Sequence, residues 1–149
     1  MKLEAIGLKK YFPLTSGFSL RGARGWVKAL DGVSVQVAEG ETLGIVGESG
    51  SGKTTLAKLF LLLERPTSGS LLFDGKAVGD FGREDFVRYR RAVQAVFQDP
   101  YSSLNPRMRV GQIVAEPLPR DNGMSRPMVA QRVAEVLQLV GLPRESPAL

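Results

Sequence analysis

Nine consecutive residues combine the side-chain types that bind a phosphate chain. They are Gly47, Glu48, Ser49, Gly50, Ser51, Gly52, Lys53, Thr54 and Thr55. They fit the pattern G-x-x-x-x-G-K-[ST] of phosphate-binding P-loops, in which glycines let backbone N–H groups approach the phosphates. The lysine brings a positive charge to the β and γ phosphates, and the next hydroxyl is suited to bind Mg²⁺. The pattern predicts a nucleoside triphosphate site, with Lys53 as a catalytic residue and Thr54 as a metal ligand.

The segments on either side of this loop should position it. The apolar run 41–46 predicts a short buried strand of the parallel type ahead of the loop. Apolar residues then recur at helical spacing, namely Leu56, Leu59, Phe60 and Leu63. They predict a helix that begins near Lys53 and is stopped by Pro66. The N-terminus of such a helix directs free N–H groups and the positive end of its dipole towards an anion.

Composition limits the classes of protein that need to be considered. The 149 residues are 43% hydrophobic, which suits one domain with a core. The chain has no cysteine and no histidine, which excludes disulfides, thiol chemistry and histidine bases or metal ligands. The longest apolar run, 59–63, is far shorter than the roughly 20 residues of a membrane span. We expect a soluble, cytoplasmic protein.

The net charge of +5 raises the question of an anionic partner. The basic residues are scattered, with small clusters at 9–10 and 88–91, and no basic stripe is interleaved with aromatic residues. A solvated or docking face is therefore favoured over a nucleic-acid track, and we predict no nucleic-acid partner.

The remaining patterns predict strands in the first half of the chain. Residues 3–11 predict an opening strand, and 14–24 an exposed loop rich in Gly, Ser and Arg. Three valines alternate with polar residues over 33–37, as in a half-buried antiparallel strand. Residues 70–73 predict a short strand that ends at the hairpin turn 74–75, Asp-Gly.

Helices dominate the predictions for the second half. Residues 84–91 predict a short helix, 92–97 a second buried strand, and 110–117 another short helix. The last helix has Ser125 as a candidate N-cap and Gly141 as its C′ residue, ahead of Pro143.

Three runs of the sequence are distinctive in combination. They are the P-loop 47–55, the run 63–69 (Leu-Glu-Arg-Pro-Thr-Ser-Gly) and the loop 96–107 (Val-Phe-Gln-Asp-Pro-Tyr-Ser-Ser-Leu-Asn-Pro-Arg). Together they resemble the ATP-binding subunit of an ATP-binding cassette (ABC) importer, in its oligopeptide/dipeptide branch and over the N-terminal half only. The resemblance implies an α/β P-loop NTPase (ABC ATPase) core with an N-terminal antiparallel β portion and the start of a helical subdomain, truncated. Residues 1–98 would hold the β portion and the P-loop core, and 99–149 the Q-loop and part of the helical subdomain.

The resemblance also implies roles for two residues outside the P-loop. Tyr11 takes the place of the aromatic side chain that stacks on adenine, although its sequence context alone is that of an aromatic residue at a strand end. Gln98 takes the place of the glutamine that approaches Mg²⁺ and the attacking water. The alternative is a polar strand terminus, but the neighbouring Asp99-Pro100 and the run 104–106 (Leu-Asn-Pro) favour the functional role.

Partners follow from the same resemblance. The ligands implied are ATP and Mg²⁺, and the protein partners are membrane permease subunits and a second ABC ATPase subunit that closes over the ATP. A solute-binding protein would be involved only indirectly. The location implied is the cytoplasmic face of the inner (plasma) membrane, as a peripheral protein.

Several parts of the expected catalytic machinery are missing from these residues. Phosphoryl transfer needs a metal-holding Asp on a strand and a group that orients water. The sequence has no Ser-Gly-Gly-Gln signature, no apolar strand that ends in paired acidic residues, and no histidine. It therefore resembles the first half of a cassette, and a nucleotide-binding remnant without autonomous ATPase activity is the alternative function. A small-molecule kinase is disfavoured by the loop around Gln98 and by the lack of an Arg-rich, lid-like segment after it.

Overall fold

The computed structural model describes residues 2–14, 25–99, 101–118 and 124–142. The chain divides into two compact units, Met1–Ala95 and Val96–Leu149, each described by itself below. Most of the predicted loop 14–24, and the predicted stop at Pro143 with the residues after it, lie outside the described residues. The functional division at 98/99 stays a prediction.

An antiparallel sheet of four strands forms the base of the first unit. Its strands are β1 (Leu3–Pro13), β2 (Trp26–Val37), β3 (Ser68–Phe73) and β4 (Lys76–Ala77), in the spatial order β2-β1-β3-β4. The predicted opening strand, the half-buried valine strand and the short strand before Asp-Gly are thereby confirmed. Asp74 and Gly75 both have positive φ, 49° and 81°, as a type I′ hairpin turn requires.

Two helices pack on this sheet through two hydrophobic clusters. Helix α1 (Lys53–Phe60) contributes Leu56 and Leu59 to a cluster with buried residues of β1 and β2. Helix α2 (Arg83–Ala92) contributes Tyr89 to a second cluster with β3. Phe60 packs against both clusters, so the end of α1 joins the two parts of the core.

Helix α1 is shorter than predicted, because it ends at Phe60 and not at Pro66. Leu62 adopts the left-handed conformation, with φ 56°. Its N–H donates to the Leu59 carbonyl at 3.1 Å, and the Leu63 N–H donates to the Lys58 carbonyl at 2.9 Å. This is a Schellman arrangement, which satisfies the last carbonyls of the helix and turns the chain away. Glycine is common at this position and leucine is unusual there. The apolar spacing of the sequence therefore did not predict that α1 ends at Phe60.

The two predicted parallel strands, 41–46 and 92–97, are wrong for this structure. Residues 41–46 and 93–97 have no strand assignment, and Ala92 is the last residue of α2. Val46 and Val96 are 93% and 95% exposed. A strand exists only when a neighbour completes its hydrogen-bond ladder. Among the described residues the sheet pairings involve β1 to β4 alone, and these apolar segments take no part in them.

The second unit is helical. It contains a 3₁₀ turn (Tyr101–Ser103), α3 (Val110–Ala115) and α4 (Arg126–Leu139), and α3 packs against α4. Gly141 has φ 77°, its N–H donates to the Gln138 carbonyl at 3.0 Å, and the Leu142 N–H donates to the Leu137 carbonyl at 2.9 Å. The predicted C′ role of Gly141 is thus confirmed. Ser125 occupies the N-cap position without a side-chain cap bond.

One more 3₁₀ turn completes the helical structure of the described residues. A 3₁₀ turn (Val78–Asp80) links β4 to α2. Over the described ranges, each helix is too short or too polar to cross a membrane.

Candidate nucleotide-binding site

The glycine that begins α1 is fixed by contact with the sheet. Gly52 is the N-cap residue of α1 and has φ 96°. A Cβ at this position would lie 2.4 Å from the carbonyl oxygen of Ala29 in β2. Both the backbone conformation and the close approach exclude a side chain. The loop therefore enters α1 while pressed against β2.

Lys53 organises the loop that precedes it. Its ammonium donates hydrogen bonds to the carbonyl oxygens of Gly47 at 2.7 Å and Glu48 at 2.6 Å, and to the hydroxyl of Ser51 at 3.3 Å. The side chain is half-buried, so the loop is wrapped around the charge. A positive group held among backbone carbonyls at the mouth of a helix is placed where an anion would bind.

The N-terminus of α1 carries no competing group. Its N-cap residue has no side chain to accept a hydrogen bond, and no acidic residue lies in the first turn. The first-turn N–H groups, beginning with Lys53, Thr54 and Thr55, are therefore left for an external acceptor, since the first N–H groups of a helix lack an intrahelical partner. The helix dipole adds a partial positive charge at the same point. This geometry suits a phosphate group.

The other predicted loop residues are accessible. Gly47, Glu48, Ser49, Gly50, Ser51 and Thr54 are exposed, and Thr55 is half-buried. Gly50 has φ 82°, in the left-handed region that favours glycine. The Thr54 hydroxyl is an oxygen ligand of the kind that Mg²⁺ accepts. The described residues contain no group of three or more His, Cys, Asp or Glu side chains arranged for a metal, so a magnesium ion here would need phosphate and water oxygens as well.

Tyr11 lies in β1 close to the strand position that the loop contacts. It pairs in register with Lys28, and the next residue, Ala29, is the one that touches Gly52. The Tyr11 N–H donates to the Thr67 hydroxyl at 3.0 Å, and its own hydroxyl donates to the Asp31 carboxylate. The ring is half-buried. The first unit thus brings Tyr11 and the P-loop to the same part of β2.

Two residues of this neighbourhood were missed by the sequence analysis, namely Asp31 and Lys28. The Lys28 ammonium lies 3.2 Å from an Asp31 oxygen and 5.5 Å from the centroid of the Tyr11 ring. Two hydrogen bonds hold the pKa of Asp31 below its ordinary value; the larger effect comes from the Tyr11 hydroxyl and the next from the Lys28 ammonium. Asp31 in turn raises the pKa of Lys28. The Asp31-Gly32 pair, which precedes the valine alternation, is the only sequence signal that could have indicated an irregular strand here.

Gln98 belongs to the second unit. It lies in an exposed bend that leads towards the 3₁₀ turn at Tyr101. An exposed amide in an irregular segment is able to move towards a ligand, but its predicted approach to Mg²⁺ and water stays a prediction.

The comparisons with known proteins agree with this geometry. The ABC transporter family matches residues 30–148, which is most of the chain. The chain belongs to the ABC transporter family.

Its relatives are ATP-binding proteins of peptide transport. The chain is 43% identical over 143 residues to the dipeptide transport ATP-binding protein DppF of Haemophilus influenzae, in a match that covers 96% of the chain and 43% of DppF. It is 44% identical over 141 residues to the oligopeptide transport ATP-binding protein AppF of Bacillus subtilis, with 94% and 43% covered. The predicted resemblance to the peptide-importer branch is confirmed. The chain spans less than half the length of these curated relatives.

Solved cassettes share the fold. The dimeric post-hydrolysis state of the ATP-binding cassette MJ0796 bound to ADP and Pi has a TM-score of 0.69 and 26% sequence identity, and the match covers 94% of this chain and 57% of that one. The predicted fold class, part of an ABC ATPase with an antiparallel β portion, is confirmed. Membership of this family implies nucleotide binding.

Proposed function

We propose that this chain is the nucleotide-binding part of the ATP-binding subunit of an ABC importer, which couples ATP binding and hydrolysis to the uptake of peptides or similar solutes. The proposal depends mainly on the position of the Lys53 ammonium, which the Gly47 and Glu48 carbonyls hold at the uncapped N-terminus of α1. The peptide-transport names of the relatives support the solute class.

Different residues would bind different parts of the nucleotide. The loop 47–55 would bind the phosphates through backbone N–H groups and the charge of Lys53. Tyr11 would stack on adenine, since its ring is tied to the strand that also contacts the loop. Thr54 and Gln98 would supply oxygen ligands to Mg²⁺, which would neutralise negative charge on the bound phosphates.

The partners would be those of an importer subunit. A second ABC ATPase subunit would close over the bound ATP, and membrane permease subunits would hold the pair at the cytoplasmic face of the inner membrane. The dimeric state of the MJ0796 cassette supports the first of these partners.

A second reading concerns turnover by these 149 residues alone. They contain no histidine and no Ser-Gly-Gly-Gln run. Since a bound triphosphate needs further groups to orient water and hold the metal, we infer that this chain by itself binds ATP without steady hydrolysis.

Binding is tested by titrating ATP into the 149-residue chain and its variants by calorimetry. Lys53→Ala removes a charged donor to phosphate, which is worth about 1.5–3 kcal/mol, so we expect the Kd for ATP to rise roughly ten- to hundredfold. Lys58→Ala is the matched control, because Lys58 is an exposed lysine in the last turn of the same helix. Equal affinity of Lys53→Ala and Lys58→Ala would refute the proposed phosphate site.

Turnover is tested separately by release of inorganic phosphate. The proposal expects binding with no steady release from the chain alone. Steady hydrolysis that disappears in Lys53→Ala would refute the second reading and leave the first intact. Transfer of phosphate to a small acceptor would instead favour a kinase.

A further inference from the structure

We propose that Asp31 is a positioning residue for the nucleotide base: by accepting the hydrogen of the Tyr11 hydroxyl, it fixes the Tyr11 ring for stacking. This inference rests on the proposed function, because it takes Tyr11 as the residue that meets the base. The segment 28–31 of β2, here called the clamp segment, carries the whole arrangement.

Two irregularities in the pairing of β1 with β2 bring Asp31 to Tyr11. Lys9 pairs with Asp31 after Leu8 has paired with Val33, so Gly32 is an extra residue, and it has φ 89°. Lys10 then pairs with Leu30 and Tyr11 with Lys28, so Ala29 is a second extra residue. Such bulges turn side chains away from the simple alternation of a strand. Because of the two extra residues, Lys28 and Asp31, which are three residues apart in sequence, both contact the Tyr11 side chain.

Electrostatics keep the Asp31 carboxylate ionised and in place. It accepts from the Lys28 ammonium at 3.2 Å, and the Lys9 ammonium lies 3.5 Å from its other oxygen. A charged acceptor makes the stronger kind of hydrogen bond to a phenol hydroxyl. The Lys28 ammonium, 5.5 Å from the ring centroid, also restrains the ring from one face.

The same clamp segment touches the phosphate loop. The Ala29 carbonyl is the group against which Gly52 is pressed, and Leu30 is buried in the cluster with Leu56 and Leu59 of α1. The aromatic ring and the start of the phosphate-binding helix are thus fixed to four consecutive residues. A ring that is already oriented loses less side-chain freedom when a base stacks on it, which raises affinity without a new contact to the ligand.

The test separates the base from the phosphates. ATP and inorganic tripolyphosphate are each titrated by calorimetry into the 149-residue chain in one magnesium-containing buffer. For Asp31→Ala we expect the Kd for ATP to rise about three- to tenfold, from the freedom regained by one side chain, while the Kd for tripolyphosphate stays within about twofold. Tyr11→Phe keeps the ring but loses the hydroxyl, and we expect the same pattern. Adding Asp31→Ala to Tyr11→Phe should weaken ATP no further, because both changes remove one interaction.

Controls distinguish positioning from loss of a charge or of the fold. Asp31→Asn retains an acceptor oxygen and should recover part of the ATP affinity. Glu4→Ala removes another carboxylate, in β1 and paired with Lys2 at 3.0 Å, and should leave both affinities unchanged. If Asp31→Ala does not fold, Tyr11→Phe carries the test alone.

The outcomes separate the two proposals. If Asp31→Ala and Tyr11→Phe leave the affinities for both ATP and tripolyphosphate unchanged, the positioning role is overturned. A loss of ATP affinity in Lys53→Ala would still support the phosphate site. Equal weakening of both ligands would also overturn the positioning role, because Asp31 would then act on the fold. Absence of binding by the unaltered chain would overturn the proposed function and the positioning role together.

Discussion

Tyr89 joins the end of α1 to the second hydrophobic cluster, and its ionisation should disrupt that contact. Its side chain is 1% exposed and packs edge-on to Phe73, with ring centroids 5.1 Å apart. Its hydroxyl donates to the Phe60 carbonyl at 2.5 Å, one of the carbonyls that α1 leaves unpaired at its end. A tyrosinate in this position would lose its hydrogen-bond donor and face a carbonyl oxygen without water.

The size of the effect follows from the pKa of the group. Burial raises the pKa of Tyr89 from 10.0 to about 12. A group whose pKa is higher in the folded state contributes stability that is present below the unfolded pKa and is lost as pH rises through the folded pKa. The loss at full ionisation is roughly 2.7 kcal/mol, since each pKa unit is worth about 1.36 kcal/mol. Half of it, about 1.4 kcal/mol, should already be lost at pH 11.

The assay is urea unfolding at pH 8 and pH 11, compared between the unaltered chain and Tyr89→Phe. Other groups that titrate in this range act on both proteins, so the difference between them isolates Tyr89. At pH 8, Tyr89→Phe should be less stable by about 1 kcal/mol, for the lost hydrogen bond. At pH 11 that difference should vanish or reverse. An equal loss of stability by both proteins between pH 8 and pH 11 would refute the reasoning.

Two further predictions concern the loop and α2. Gly52→Ala and Gly50→Ala both place alanine at positive φ, at a cost of about 1–2 kcal/mol each, but only Gly52→Ala also collides with a carbonyl. Gly52→Ala should therefore lower the free energy of urea unfolding more than Gly50→Ala, and equal losses would contradict the contact with β2. Asp85 accepts hydrogen bonds from the Lys76 ammonium at 2.7 Å and from the Gly82 N–H at 2.8 Å, and these two bonds, in that order of importance, hold the pKa of Asp85 below the ordinary 3.8. Asp85→Ala should destabilise the chain at pH 7 and progressively less as pH falls below that value, and a difference that is constant with pH would contradict it.

Local signals made some elements predictable from the sequence. Helix α4 has its boundary residues, Ser125 and Gly141, within one turn of the helical pattern, and the observed Schellman bonds need nothing from the rest of the chain. The hairpin at 74–75 is similar, because Asp-Gly tolerates the positive φ that a tight turn requires. The loop 47–55 was recognisable because phosphate binding, the function proposed for it, would constrain the residue types directly.

The features that sequence did not predict depend on distant partners. Segments 41–46 and 93–97 have the composition of buried strands, but composition cannot supply the neighbour that completes a ladder. The early end of α1 depends on Leu62 in a conformation that leucine seldom adopts, and Leu62 packs there against the second cluster, whose residues lie further along the chain. The contact of Tyr11 with Asp31 depends on two extra residues in β2, which shift the register between strands that are separated in sequence.

Phe60 has a consequence for how the first unit exchanges its amide hydrogens. Helix α1 is eight residues long, about 12 Å. The loop 47–55 lies at one end, and Phe60, which packs against both clusters, lies at the other. Local opening of α2 requires Tyr89 to leave the Phe60 carbonyl, and opening of α1 requires Phe60 to leave both clusters. We therefore expect the two helices to open together. A ligand that touches only the loop would slow deuterium uptake in α2 as well, at amides that never contact it.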